Sequence, residues 1–66
     1  MNEERMMKWF SYDHLPQALQ PTSSGFFFLA EKIVSEVASG PERTVALRKL
    51  LEAKDAAVRA VVSPGG

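Results

Sequence analysis

The chain contains no cysteine, which excludes disulfides and thiolate metal sites. A single histidine, His14, with scattered carboxylates argues against a structural zinc site, so no metal and no cofactor is expected. There is no surplus of either charge: eight basic side chains balance eight acidic ones. A nonspecific nucleic-acid binder needs excess cations to displace counterions, so a DNA partner is not expected. No apolar run approaches the roughly 20 residues of a membrane span, and no membrane partner is expected. "FFFLA" at 26–30 is too short and too late for a signal peptide. Phosphate-loop, dinucleotide-binding and EF-hand spacings are missing. So is any G-x-S-x-G motif or carboxylate pair near His14, and no catalytic constellation forms on paper. The chain reads as a binding protein and not an enzyme.

At 66 residues the chain makes one domain at most. A domain this small buries only about 60% of its unfolded surface and needs help to be stable. With disulfides and metal excluded, self-association is the remedy left. Charge is unevenly placed. Residues 1–40 carry Arg5, Lys8 and Lys32 against Glu3, Glu4, Asp13, Glu31 and Glu36. Residues 41–66 carry Arg43, Arg48, Lys49, Lys54 and Arg59 against Glu42, Glu52 and Asp55. The second part is therefore basic enough for a local anion site.

Two helices are legible. The first is expected from about Phe26 to Val37. "QPTSSG" before it reads as a turn in which Ser23 or Ser24 caps the helix. "ASGPE" stops the first helix, with Gly40 as a left-handed C-cap and Pro41 in the first turn of the next. Ser39 and Glu42 have the spacing of a capping box. The second helix is expected from Pro41 to about Val62. Residues 1–8 are expected to form a short helix or a frayed N-terminal arm, and 63–66 a flexible tail. The expected fold is all-α: an antiparallel helical hairpin with a short N-terminal segment, assembled into a helical homo-oligomer.

The reason for assembly is an excess of apolar face. At 100° per residue the second helix carries one stripe of Leu47, Leu51, Val58 and Val61 and a second of Ala46, Leu50, Ala53, Ala57 and Ala60. Together they exceed the ~100° stripe that one neighbour covers. Its far side carries the pairs Arg48–Glu52 and Asp55–Arg59 at i,i+4 spacing. On the first helix Phe26, Leu29, Ala30, Ile33, Val34 and Val37 share a face, while Phe28 falls among Glu31, Lys32 and Ser35. An isolated hairpin leaves Phe28 in water.

Two features bear on function. "KWFSYDHLP" at 8–16 holds Trp9, Phe10 and Tyr12, half of the six aromatic side chains. Trp9 and Phe10 can cap the open end of the hairpin, with the Tyr12 hydroxyl in water. Alternatively the aromatic face stacks on a flat ligand, where a base is worth about 1–3 kcal/mol. In an extended segment Phe10 and Tyr12 share a side. The second feature is Lys54, inside the apolar stripe between Leu51 and Val58. Its ammonium either reaches water from the stripe's edge or faces an interface cavity placed for an anion.

Phe10-x-Tyr12, then His14 and Pro16, a helix, a Pro-containing turn, and "ERTVALRKLLEA" at 42–53 resemble the phage cyclic-nucleotide sponges. These are the anti-CBASS sponge and the hairpin domain of the Thoeris anti-defence sponge. Glu42, Ala46, Leu47, Lys49, Leu50, Glu52 and Ala53 match the family's second-helix register, and the likeness covers about residues 10–60. The resemblance implies a helical homo-oligomer, usually a hexamer, in the cytoplasm of a bacterial host. It binds cyclic di- or trinucleotide signals, or a related cyclic nucleotide, without cleaving them and so blocks antiphage signalling. Tyr12 inherits the base-stacking role, with Phe10 beside it. The family's phosphate-contacting lysine near the start of the first helix is missing, and "KDAAVRA" replaces its Trp-Ala-Asn run. Phosphate contacts then fall to Ser24 and the Gly25 amide at a helix N-terminus, or to Arg48 or Lys54. The rival reading is a small phage helical oligomer acting as a structural or protein-interaction module.

Overall fold

The computed structural model describes residues 5–65. The expected arm and tail therefore lie partly outside the described residues, which omit 1–4 and 66. A 3-10 helix spans Arg5–Phe10 and a shorter one Gln17–Leu19. Helix α1 spans Gln20–Glu36 and helix α2 spans Pro41–Val62. No strand occurs among the described residues. The two long helices, of 17 and 22 residues, would reach more than ~55 Å end to end. The longest dimension is only 37 Å, so they pack side by side across the four-residue connection.

The second helix has the expected bounds, with Pro41 in its first turn. Pro41 fits there because the first amides of a helix have no carbonyl to reach. The first helix begins six residues earlier than "QPTSSG" implies. Pro21 starts the helix instead of blocking it, since proline is tolerated in a first turn. Leu19 takes the N-cap position without a side-chain cap. Ser23 and Ser24 consequently lie within the helix: Ser23 is fully buried and Ser24 Oγ donates to the carbonyl of Pro21 at 3.3 Å.

The turn between the helices also departs from expectation. Gly40 has φ 167°, an extended conformation, so it is not a left-handed C-cap. Gly40 is itself the N-cap of α2, which shifts the expected Ser39–Glu42 box out of register. The end of α1 is instead closed from outside. Arg43 is nearly buried, and its Nη1 donates to the carbonyls of Val34 at 3.1 Å and Val37 at 3.0 Å. Those carbonyls sit where a helix has no acceptor-side partners left, and a cation there is favoured by the helix dipole. Thr44 Oγ1 donates to Gly40 O at 3.2 Å and steadies the first turn of α2.

The core is small. Phe10, Ala30 and Leu47 are fully enclosed. Met6, Met7, Phe26, Phe27, Ile33, Val34, Leu50 and Leu51 pack partly buried around them. Phe10 thus joins the N-terminal 3-10 helix to both long helices. The second helix buries only part of its wide apolar face. Leu50, Leu51, Ala57 and Val58 are half-buried, while Ala46, Ala53, Ala60 and Val61 are exposed. Phe28 and Leu29 are exposed on the outer side of α1. The i,i+4 pairs expected at Arg48–Glu52 and Asp55–Arg59 are not closed. Solvated pairs gain little against the entropy of holding two long side chains. Among the described residues the ion pair formed is Lys32–Glu36, at 3.1 Å.

Candidate functional site

Tyr12 lies in the loop between the two 3-10 helices, and that loop is held in shape. The Leu15 amide donates to the Tyr12 carbonyl at 3.1 Å, closing a turn around Asp13 and exposed His14. Gln20, the first residue of α1, donates from Nε2 to the Leu15 carbonyl at 2.8 Å. Ser11 Oγ donates to Asp13 Oδ1 at 3.3 Å. Upstream, Lys54 Nζ donates to the Trp9 carbonyl at 2.6 Å. The loop is therefore tied to α1 on one side and to α2 on the other.

This places the half-buried Tyr12 ring against α1. Its centroid is 5.5 Å from that of Phe27 and 6.1 Å from that of Phe28, with tilts of 60° and 57°. Phe27 and Phe28 meet edge to face at 5.3 Å. These separations and tilts fall in the favourable range for aromatic pairs, worth about 0.5–1.5 kcal/mol each beyond area burial. The three rings form a closed triangle with Phe28 56% exposed, so a stacking surface meets solvent. Two hollows flank it. One of about 220 Å³ is lined by Ser11, Tyr12, Asp13 and Phe27. The other, about 660 Å³, is lined by Met7, Phe27, Phe28, Glu31, Lys32, Val34 and Ser35. The larger has the volume of a small-molecule site, typically 300–1,000 Å³.

No family model, curated protein or solved structure matches the chain.

The six candidate residues are not brought together. Tyr12 alone belongs to the aromatic triangle. The Phe10 ring is fully buried in the core and supports the segment from inside. An extended 9–12 segment would have put Phe10 beside Tyr12, but residues 9 and 10 close a 3-10 helix and turn Phe10 inward. Trp9, expected to cap the hairpin, is 57% exposed, with Lys8 Nζ 5.1 Å from its ring centroid. Ser24 and Gly25 lie beyond the first four amides of α1, so the helix N-terminus expected there is elsewhere. Arg48 is exposed on α2.

Lys54 is only 8% exposed, so it does not reach water from the edge of its stripe. It borders a separate hollow of about 250 Å³ with Leu15, Asp55, Val58 and Arg59. Its ammonium is engaged by a backbone carbonyl of the same chain. A buried ammonium needs an acceptor, and the Trp9 carbonyl supplies one.

Phe27 was absent from the sequence-derived candidates, as were Glu31 and Lys32. The run of three phenylalanines at 26–28 held the signal. Three consecutive helical positions span about 200° of the circumference, so they cannot all face one core.

Proposed function

We propose that the protein binds cyclic oligonucleotide second messengers and holds them without cleaving them, lowering their free concentration in a bacterial host. The observation that carries this reading is the Tyr12–Phe27–Phe28 triangle, a solvent-facing aromatic surface beside a groove of about 660 Å³. Aromatic faces stack on any nucleobase. The same groove is bordered by Lys32, whose pairing with Glu36 is solvent-exposed and readily exchanged for a phosphate. The order of Phe10, Tyr12, His14 and Pro16 ahead of a helical hairpin supports it through resemblance to the cyclic-nucleotide sponges. Lys32, about two turns later than the family lysine, takes the phosphate role in this reading, since Ser24, Gly25, Arg48 and Lys54 do not line the groove.

In this reading the working form is a homo-oligomer, with six copies the number the resemblance implies. Its support is the surface left uncovered away from the aromatic triangle: Leu29, Val45, Val61 and Val62 are exposed, with Ala46, Ala53 and Ala60 on the outer side of α2. The same surface favours a second reading, a structural module that only self-associates or binds another protein.

The experiment is a thermal-shift panel of cyclic di- and trinucleotides and a cyclic ADP-ribose-like signal. A bound ligand at 100 times its dissociation constant adds about 2.7 kcal/mol, a readily measured rise in midpoint. Ligand recovered after heat denaturation is expected to be chemically intact. A panel that leaves the midpoint unmoved while the protein remains an oligomer favours the structural module.

A further inference from the structure

The larger groove holds a carboxylate for which base stacking has no use. Glu31 lines it together with Phe27, Phe28 and Lys32. On α1, Glu31 follows Phe27 by four residues and Phe28 by three, so it stands one turn on, between the two rings. Lys32 is paired with Glu36, but the Glu31 carboxylate takes part in no ion pair or hydrogen bond among the described residues. Its acceptors are open to whatever lies along the aromatic wall.

An ionised carboxylate accepts hydrogen bonds and donates none. It therefore separates the purines by the order of groups along their edges. Guanine presents two adjacent donors, N1–H and the exocyclic amine, which match the two carboxylate oxygens. Adenine presents a donor beside an acceptor, and its ring nitrogen would face a carboxylate oxygen. Paired bonds to a charged acceptor are the stronger and more directional kind. We infer that this groove is a guanine-selective base site, in which Glu31 reads the base edge and Lys32 meets the phosphodiester. This inference rests on the binding function proposed above.

The test is isothermal titration of the full chain with cyclic di-GMP, the mixed cyclic GMP–AMP and cyclic di-AMP, for wild type and Glu31→Gln. The guanine ligands are expected to bind about ten- to a hundredfold more tightly than cyclic di-AMP, the discrimination typical of a good bidentate base contact. Glu31→Gln offers one donor and one acceptor, the pattern adenine complements, so the preference should collapse or reverse. Glu31 is exposed, and the thermal midpoint of the free protein should not move. Equal affinity for all three ligands, or a guanine preference unchanged in Glu31→Gln, overturns the inference and leaves the sequestration reading standing. Failure of all three, and of the wider panel, to bind overturns both.

Discussion

Lys54 donates a 2.6 Å hydrogen bond from Nζ to the carbonyl oxygen of Trp9, joining positions 45 residues apart. It fastens the N-terminal 3-10 helix to α2, three residues upstream of Tyr12. Lys54→Met keeps the apolar stem and removes the donor. Hydrogen bonds to charged groups contribute about 1.5–3 kcal/mol, offset in part by relief of the buried ammonium. The expected net effect is a loss of about 1–2 kcal/mol in urea unfolding. Fluorescence anisotropy of Trp9 should fall as the segment loosens. Unchanged stability and anisotropy would show that the packing of Phe10, Met6 and Met7 anchors the segment without the lysine.

Gly25 lies in the interior of α1, on the side away from the core, and a Cβ there meets no atom within 4 Å. Glycine costs a helix interior roughly 0.8–1.0 kcal/mol relative to alanine. Gly25→Ala should therefore raise the unfolding free energy by about that amount and the midpoint with it, measured by urea unfolding. A lowered midpoint would mean that another surface approaches this glycine closely.

Ser23 is fully buried in α1, and its Oγ finds no hydrogen-bond partner. A buried hydroxyl left unpaired costs about 1–3 kcal/mol. Ser23→Ala keeps the volume close and removes the unpaired group. We expect stability to rise by about 1 kcal/mol in chemical denaturation, by the same reasoning.

These positions show which parts of the molecule could be read in advance. The bounds of α2 follow from local signals: Pro41 in a first turn and an unbroken apolar periodicity to Val62. The start of α1 does not, because Pro21, Ser23, Ser24 and Gly25 favour a turn in isolation. Burial of Ser23 on the same face as Ala30, two turns on, accompanies a helix that runs through all four. Arg43 and Lys54 were beyond local reading for another reason. Each is set by a carbonyl on a different element, and carbonyl positions leave no mark in residue type. Tyr12 was visible as an aromatic near a proline, but its partners Phe27 and Phe28 became so only once α1 had a register.

Ala53 is exposed on the outer side of α2, in line with Ala46 and Ala60. If that face closes against another copy, a charge there enters a close-packed boundary and its desolvation is unpaid. Ala53→Glu should then shift sedimentation from oligomer toward a ~7 kDa monomer, which is only marginally stable because a chain this small buries so little of its surface. Wild type sedimenting as a folded monomer at micromolar concentration would remove the assembly from the proposal.

Tyr12 separates the two functional readings. Its ring contacts Phe27 and Phe28 at the surface, while Phe10, two residues away, fills the core. The two aromatics should therefore respond differently. Phe10→Ala opens a cavity among Ala30, Leu47 and their neighbours and should cost about 3–5 kcal/mol, enough to unfold so small a domain. Tyr12→Ala removes a half-buried ring and should leave the helices and the assembly in place. Its effect belongs to binding: a lost base stack of about 1–3 kcal/mol weakens a cyclic nucleotide roughly ten- to a hundredfold. Tyr12→Phe keeps the ring and should bind within a few-fold of wild type. Titration calorimetry with sedimentation on the same three variants decides the matter. Should Tyr12→Ala dissolve the assembly and wild type bind no cyclic nucleotide, the triangle of rings is packing for a structural module and the sequestration reading falls.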